Sequence, residues 1–241
     1  MQAWDKIPDG QKDANGAYYA DYTGIMSVGW NADKYGDINS LDDLLDPKFA
    51  GTVAVNGKPA EAGAAFNGYL MANQLAGGDI NNLQPGLDFF KKLQEAGNLT
   101  TVDVTNGTID SGQTGVVFDW TYNQASYKKE LKDKGVNWKY KTFPKAQVVS
   151  YYNQAINKDA PHPAAARLWE EYLYTADAQN LWFKGGANPV LLDSMKEDGT
   201  VDQATLKDAI TIEGEPVSYT NDDSTRITEW LQNNWDKTIG N

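Results

Sequence analysis

Short apolar runs alternate with amphipathic stretches along the chain, and their order predicts most of its elements. Residues 17–30 (AYYADYTGIMSVGW) are aromatic and β-branched, broken by Gly24, and predict one or two strands. Residues 40–45 read as a short helix with Ser40 as its cap, stopped by Pro47, and residues 52–56 as a short buried strand. An alanine-rich helix ends near Gly77 and Gly78. Residues 85–96 predict a second helix, with Leu87, Phe89, Phe90 and Leu93 on its apolar face and Gly97 ending it. Residues 101–104 predict a strand and Asn106-Gly107 a turn. The run GVVFDW, residues 115–120, is continuously apolar, as in a strand covered on both faces, and a lysine-rich helix follows at 126–134. Residues 138–143 alternate like an edge strand, which Pro144 closes.

The stretch QVVSYYNQAINKDAPHPAAARLWEEY, residues 147–172, organises the rest. An apolar-aromatic run ends in Tyr151 and Tyr152, passes through an Asp/Pro turn and enters a helix at Pro163, where proline's fixed φ suits the first turn. Leu168, Trp169, Tyr172 and Leu173 recur at the spacing of one helix face, predicting that this face is covered. A strand feeding a helix is the layout of an open α/β sheet, whose ligands collect at strand ends. The last helix is expected to start at Asn221-Asp222-Asp223 and to bury Ile227, Trp230, Leu231 and Trp235.

Composition narrows the function. With 241 residues, 41% of them hydrophobic, the chain can form one large domain or two lobes. It contains no cysteine, which excludes disulfides, zinc-thiolate sites and a thiol nucleophile. A single histidine, His162, sits between two prolines at a helix start, where a surface or capping role fits better than catalysis. The net charge of −12 argues against a nucleic-acid partner. No apolar run is long enough to span a membrane. Glu170 and Glu171 are adjacent, so on a helix they point about 100° apart and form no facing acid/base pair.

Several segments resemble the extracellular solute-binding proteins of bacterial ABC importers, in the group that includes polyamine, ferric-ion and aminoethylphosphonate binders. The likeness rests on Asp46-Pro47-Lys48-Phe49-Ala50-Gly51, on the helix start His162-Pro163-Ala164-Ala165-Ala166, on a helix end running from Glu171 to Gln179, and on Gly185-Gly186-Ala187-Asn188-Pro189-Val190. It implies an α/β, periplasmic-binding-protein-like fold of type II, with two lobes of mixed sheets flanked by helices. Lobe one, residues 1–30 and 149–241, is expected to be incomplete because the family carries further residues before Trp4. Lobe two is expected at 31–148. The resemblance also implies a periplasmic or extracellular location, with or without a lipid anchor, and ABC importer membrane subunits as partners. It implies no enzyme activity and no cofactor.

The resemblance places Asp21, Tyr22 and Thr23 at the first crossing between lobes, and a ligand-contacting cluster at Asp119, Trp120 and Tyr122. Ferric binders have adjacent tyrosines at the second place; Trp120-Thr121-Tyr122 here counts against iron. Glu61 stands at a helix start, where it caps the helix or borders an anion site with Lys58. Together with Tyr151 and Tyr152 these residues outline an aromatic-lined cleft for a small polar solute: a polyamine, an amino acid or an organophosphonate. Tyr151-Tyr152-Asn153 stands where polyamine binders carry acidic residues, which weakens that option. Hinge closure is expected near 28–31 and 148–150. Two alternatives belong to other classes. One is a non-binding interaction module that forms a homodimer or domain-swapped dimer through exposed sheet edges. The other is a hydrolase pairing carboxylates such as Asp21 and Asp119.

Overall fold

A computed structural model describes residues 1–240. In chain order its elements are β1 (Tyr19–Asn31), α1 (Ala32–Tyr35), β2 (Val53–Val55), α2 (Gly63–Leu75), α3 (Gln84–Glu95), β3 (Leu99–Thr100), α4 (Asn106–Asp110), β4 (Val116–Trp120), α5 (Thr121–Leu131), β5 (Trp138–Lys141), β6 (Val149–Gln154), α6 (Pro163–Leu173), α7 (Ala176–Lys184), β7 (Asn188–Pro189), α8 (Leu192–Glu197), α9 (Gln203–Asp208) and α10 (Asn221–Ile239). They form two compact units. The first comprises Met1–Gly24 and Ser150–Ile212; the second comprises Ile25–Val149 and the chain from Glu213 onward.

The second unit is a mixed sheet flanked by helices, in the order β3-β2-β4-β1-β5. β2 runs parallel to both β3 and β4, whereas β1 is antiparallel to β4 and β5. All five residues of β4, Asp119 among them, are buried, as expected of a strand covered on both faces. α2 is buried at nine successive positions, Ala65 to Asn73, so it packs as an interior helix. It lies close against the sheet: a Cβ at Gly68 would stand in ordinary van der Waals contact with Phe118 at 3.4 Å and Val55 at 3.5 Å. α3 buries Leu87, Phe89, Phe90 and Leu93 as expected.

α10 packs in this unit rather than with the first lobe, where the sequence reading places residues 149–241. Its stripe Ile227, Leu231, Trp235 and Ile239, spaced by four, enters the second unit's core. Trp235 meets Phe90 and Tyr69 edge-on, at ring separations of 5.1 and 6.1 Å.

In the first unit β6 and β7 both pair with β1, β7 antiparallel through Tyr22–Pro189 and Thr23–Asn188. Ile7, Tyr19, Ala20, Leu173, Tyr174, Phe183, Val190 and Leu191 are part of its core. Glu170 is buried and accepts a hydrogen bond from the Tyr19 hydroxyl, while Glu171 is half-buried and accepts from the backbone of Gln2 at 3.0 Å. The two neighbours thus diverge as helical geometry requires.

Four local expectations change. Gly24 does not break β1, which runs unbroken for 13 residues. The strand expected at 101–104 is only Leu99–Thr100, because Thr101, Val102 and Asp103 are exposed and have no cover to pair under. Asn106-Gly107 opens α4 instead of a turn: Thr105 and Thr108 form a reciprocal capping box, at 3.1 and 2.9 Å. On α6 only Leu173 of the predicted stripe is buried; Leu168, Trp169 and Tyr172 face solvent.

α10 starts with a second capping box, Thr220 with Asp223, one residue before the expected cap. The Thr220 backbone N–H, then its hydroxyl and Arg226, hold the Asp223 carboxyl down at about 2. A depressed folded-state value means stability that is present above the unfolded value near 4 and lost as pH falls toward 2. Asp223→Asn is therefore expected to flatten the fall in melting temperature between about pH 4 and pH 2, measured by circular dichroism.

Candidate functional site

Three aromatic rings from three elements of the first unit form a stack. Tyr22 of β1 lies between Tyr152 of β6, at 5.0 Å and 23°, and Trp182 of α7, at 4.3 Å and 24°. Tyr152 is 47% exposed, and the other two rings are half-buried. Offset rings at these separations attract each other and present a flat, amphipathic surface.

The residue before Tyr22 braces the stack. Asp21 is fully buried, and its two carboxylate oxygens accept one hydrogen bond each, from Gln154 Nε2 and Gln179 Nε2, both at 3.0 Å. Gln154 lies two residues after Tyr152 on β6, and Gln179 lies three before Trp182 on α7. One carboxylate therefore ties together the three elements that supply the rings. Burial pushes the Asp21 carboxyl up, opposed by the two amides and by the nearby Trp182 indole, which closes no hydrogen bond of its own. Gln179 is fully buried; it also donates to Leu173 C=O at 2.9 Å and accepts from Leu191 N–H at 3.3 Å.

The other candidates in this unit play different parts. Thr23 is committed to the joint between β1 and β6: its hydroxyl proton lies within reach of both Gly24 C=O and Ser150 C=O, at 2.9 Å each, and its oxygen accepts from Ser150 N–H. Tyr151 packs against the first unit's core instead of joining Tyr152, because successive strand side chains point to opposite faces. Trp182 is the member of the stack that sequence reasoning missed. The available signal was its placement three residues after Gln179 in a helix that ends at a glycine loop.

In the second unit Asp119 is fully buried and takes four donors: Trp120 N–H at 2.7 Å, Asn123 at 2.9 Å, Asn56 at 2.8 Å and the Tyr127 hydroxyl at 2.9 Å. Burial pushes its carboxyl up against the pull of these donors. Trp120 is only 4% exposed and belongs to the core, with the half-buried Tyr122 ring parallel to it at 6.3 Å. Glu61 is exposed and does not cap α2, whose N-cap, Ala62, has no side-chain bond. Among the described residues no group of three His, Cys, Asp or Glu is placed to hold a metal ion. No helix among them is long and apolar enough to cross a membrane.

Residues 1–209 match the family model described as bacterial extracellular solute-binding protein. The chain belongs to that family. A search of curated proteins finds no match. Solved structures similar to this solute-binding protein include the periplasmic binding protein AfuA from Actinobacillus pleuropneumoniae, with fructose-6-phosphate bound, at 18% identity and a TM-score of 0.70, covering 98% of this chain and 73% of that one. Apo ferric ion-binding protein A of Pasteurella haemolytica shows 19% identity and a TM-score of 0.67, over 97% of this chain and 72% of that one. A putative spermidine/putrescine ABC transporter from Listeria monocytogenes shows 13% identity and a TM-score of 0.63, over 97% and 74%. The fold is that of type II periplasmic binding proteins, and both the family and these neighbours are transport proteins, not enzymes. Solute-binding proteins of this kind work with membrane subunits.

Gln179→Ala would leave the Asp21 carboxylate, Leu173 C=O and Leu191 N–H each short of a partner. The expected loss is about 3 kcal/mol or more, from urea unfolding. Removing a donor raises the Asp21 carboxyl further, so its ionised form carries the added cost. That cost is relieved as pH falls, and the deficit should be smaller at about pH 5 than at pH 7.

Proposed function

We propose that this solute-binding protein captures a small polar solute on the Tyr152–Tyr22–Trp182 stack of its first unit and delivers it unchanged to ABC importer membrane subunits. The observation that carries this reading is the stack itself: an accessible ring surface drawn from three elements and held by one buried carboxylate. A ligand with a flat or apolar portion gains about 0.5–1.5 kcal/mol from each ring it meets.

The solute is an amino acid or an organophosphonate-like compound rather than a polyamine. Asp21 and Asp119 are the buried acids at the two candidate clusters, and both spend their oxygens on internal donors. Neither is left to balance the two or more ammonium groups that a polyamine carries. Movement between states would use the three peptide crossings at Gly24–Ile25, Val149–Ser150 and Ile212–Glu213. The expected hinge at 28–31 fits less well, because Val28, Gly29, Trp30 and Asn31 are paired with β5 on one side and, as far as Trp30, with β4 on the other.

A thermal-shift and calorimetry panel of amino acids, phosphonates, polyamines and ferric citrate tests this. A true solute at about 100 times its Kd is expected to add about 2.7 kcal/mol, roughly 5–10 °C at this chain length. Tyr152→Ala and Trp182→Ala should each weaken its binding about 3- to 10-fold. Binding that ignores both substitutions would move the site off the stack, and a polyamine as the best solute would overturn the class.

A further inference from the structure

The chain passes between the two units at Gly24–Ile25, at Val149–Ser150 and at Ile212–Glu213. On the second unit's side all three crossings are tied to one dipeptide, Gln147-Val148. Met26, just past the first crossing, donates its N–H to Val148 C=O at 2.9 Å. Gln147 and Val148 themselves lead into the second crossing. The third crossing returns to the same place. Glu213 N–H donates to Gln147 Oε1 at 2.9 Å, and Val217 N–H donates to Gln147 C=O at 2.7 Å. Gln147 thus closes the segment 213–217 at both ends, once with its side chain and once with its backbone. It is 3% exposed, and Val148 and Met26 are fully buried, so the junction belongs to the second unit's interior.

The first unit ties its own ends of the crossings. Thr23, before the first crossing, accepts from Ser150 N–H, just past the second. Asn188, which stands opposite Thr23 where β1 pairs with β7, donates from Nδ2 to Ile210 C=O at 3.1 Å. Thr211 and Ile212 lie between the Asn188 bond and the Gln147 bond, outside any helix or strand. Each such residue has two soft dihedrals, and a few of them absorb the rotation of a hinge.

The side-chain bond of Gln147 sets the length of this joint. Without it the next N–H fixed to the dipeptide is that of Val217, and the loose stretch runs from Thr211 to Pro216. Glu213 is exposed, so water can serve its N–H, and the bond contributes position more than the satisfaction of a buried donor.

We infer that Gln147 is a positioning residue for the movement between states: its amide oxygen confines bending of the third crossing to Thr211 and Ile212, so that the three crossings flex together. The inference rests on the movement proposed above and concerns a residue outside the ring stack.

The chain has no cysteine, so spin labels attach only to introduced ones. Asp177→Cys on α7 and Lys91→Cys on α3, exposed positions of different units, report the separation of the units by pulsed electron double resonance. The doubly labelled parent chain is expected to show a spread of separations. Gln147→Met, which keeps the length of the side chain but lacks the acceptor, should widen that spread, and Gln147→Glu, whose carboxyl still accepts, should restore it. Amide exchange followed by NMR should quicken about 3- to 10-fold at Glu213 in the Gln147→Met chain and stay unchanged at Met26 and Val217. Circular dichroism melts confirm that each variant is folded. A single narrow separation in the parent chain would overturn the movement itself and this inference with it. A spread in the parent chain that Gln147→Met leaves unchanged would overturn this inference alone. Faster exchange at Met26 and Val217 as well would overturn it in favour of a general structural role for Gln147.

Discussion

The first unit depends on the fully buried carboxylate of Asp21. Taking a carboxylate out of water is expensive unless each oxygen finds a donor. At Asp21 the donors are two glutamine amides that the chain reaches only 133 and 158 residues later. This makes β1, β6 and α7 mutually dependent: if one shifts, an ionised group is left unsatisfied. Tyr22, Tyr152 and Trp182 sit on these same elements, so the geometry of the platform is inherited from the clamp rather than set by the rings. Stacking alone, at about 1 kcal/mol per pair, would be too weak to hold three side chains against their rotamer entropy.

The second unit repeats the device with different parts. Asp119 is buried, directly precedes an aromatic residue, and gathers the start of α5 and the end of β2 through Asn123, Tyr127 and Asn56. A carboxylate with four donors resembles a structural strut more than a ligand contact, since a solute's ammonium group would have to displace an existing partner. On the proposed reading, recognition then falls to ring faces and neutral hydrogen bonds. The chain's net charge of −12 then describes its solvated surface and says little about its solute.

Much of this architecture is legible in the sequence where pattern and environment coincide. The unbroken run of β4 needs cover on both faces and has it; the stripes of α3 and α10 need a core and have one. The unit to which α10 belongs is not legible, because periodicity identifies a face to be buried but not the surface that buries it. The same gap explains α6. Leu168, Trp169 and Tyr172 carry the signature of a covered face, yet they are exposed among the described residues. Of the candidate site, Tyr22 and Tyr152 are legible as aromatics at strand ends, whereas Trp182 looks like any helix tryptophan until the fold brings it under Tyr22.

Asp21 and Asp119 show why polar residues in strands are hard to read from a sequence. A buried acid that binds a ligand and a buried acid that binds its own protein look alike, and only the count of donors separates them. That count depends on glutamines and asparagines from distant segments, residues with little pattern of their own. In both units the acid lies one position before an aromatic residue. Adjacency of this kind couples two requirements in one dipeptide: the acid fixes the backbone by its hydrogen bonds, and the fixed backbone then aims the ring. Selection for a well-placed ring would therefore act on the acid and its amide partners as strongly as on the ring, although none of them need touch the solute.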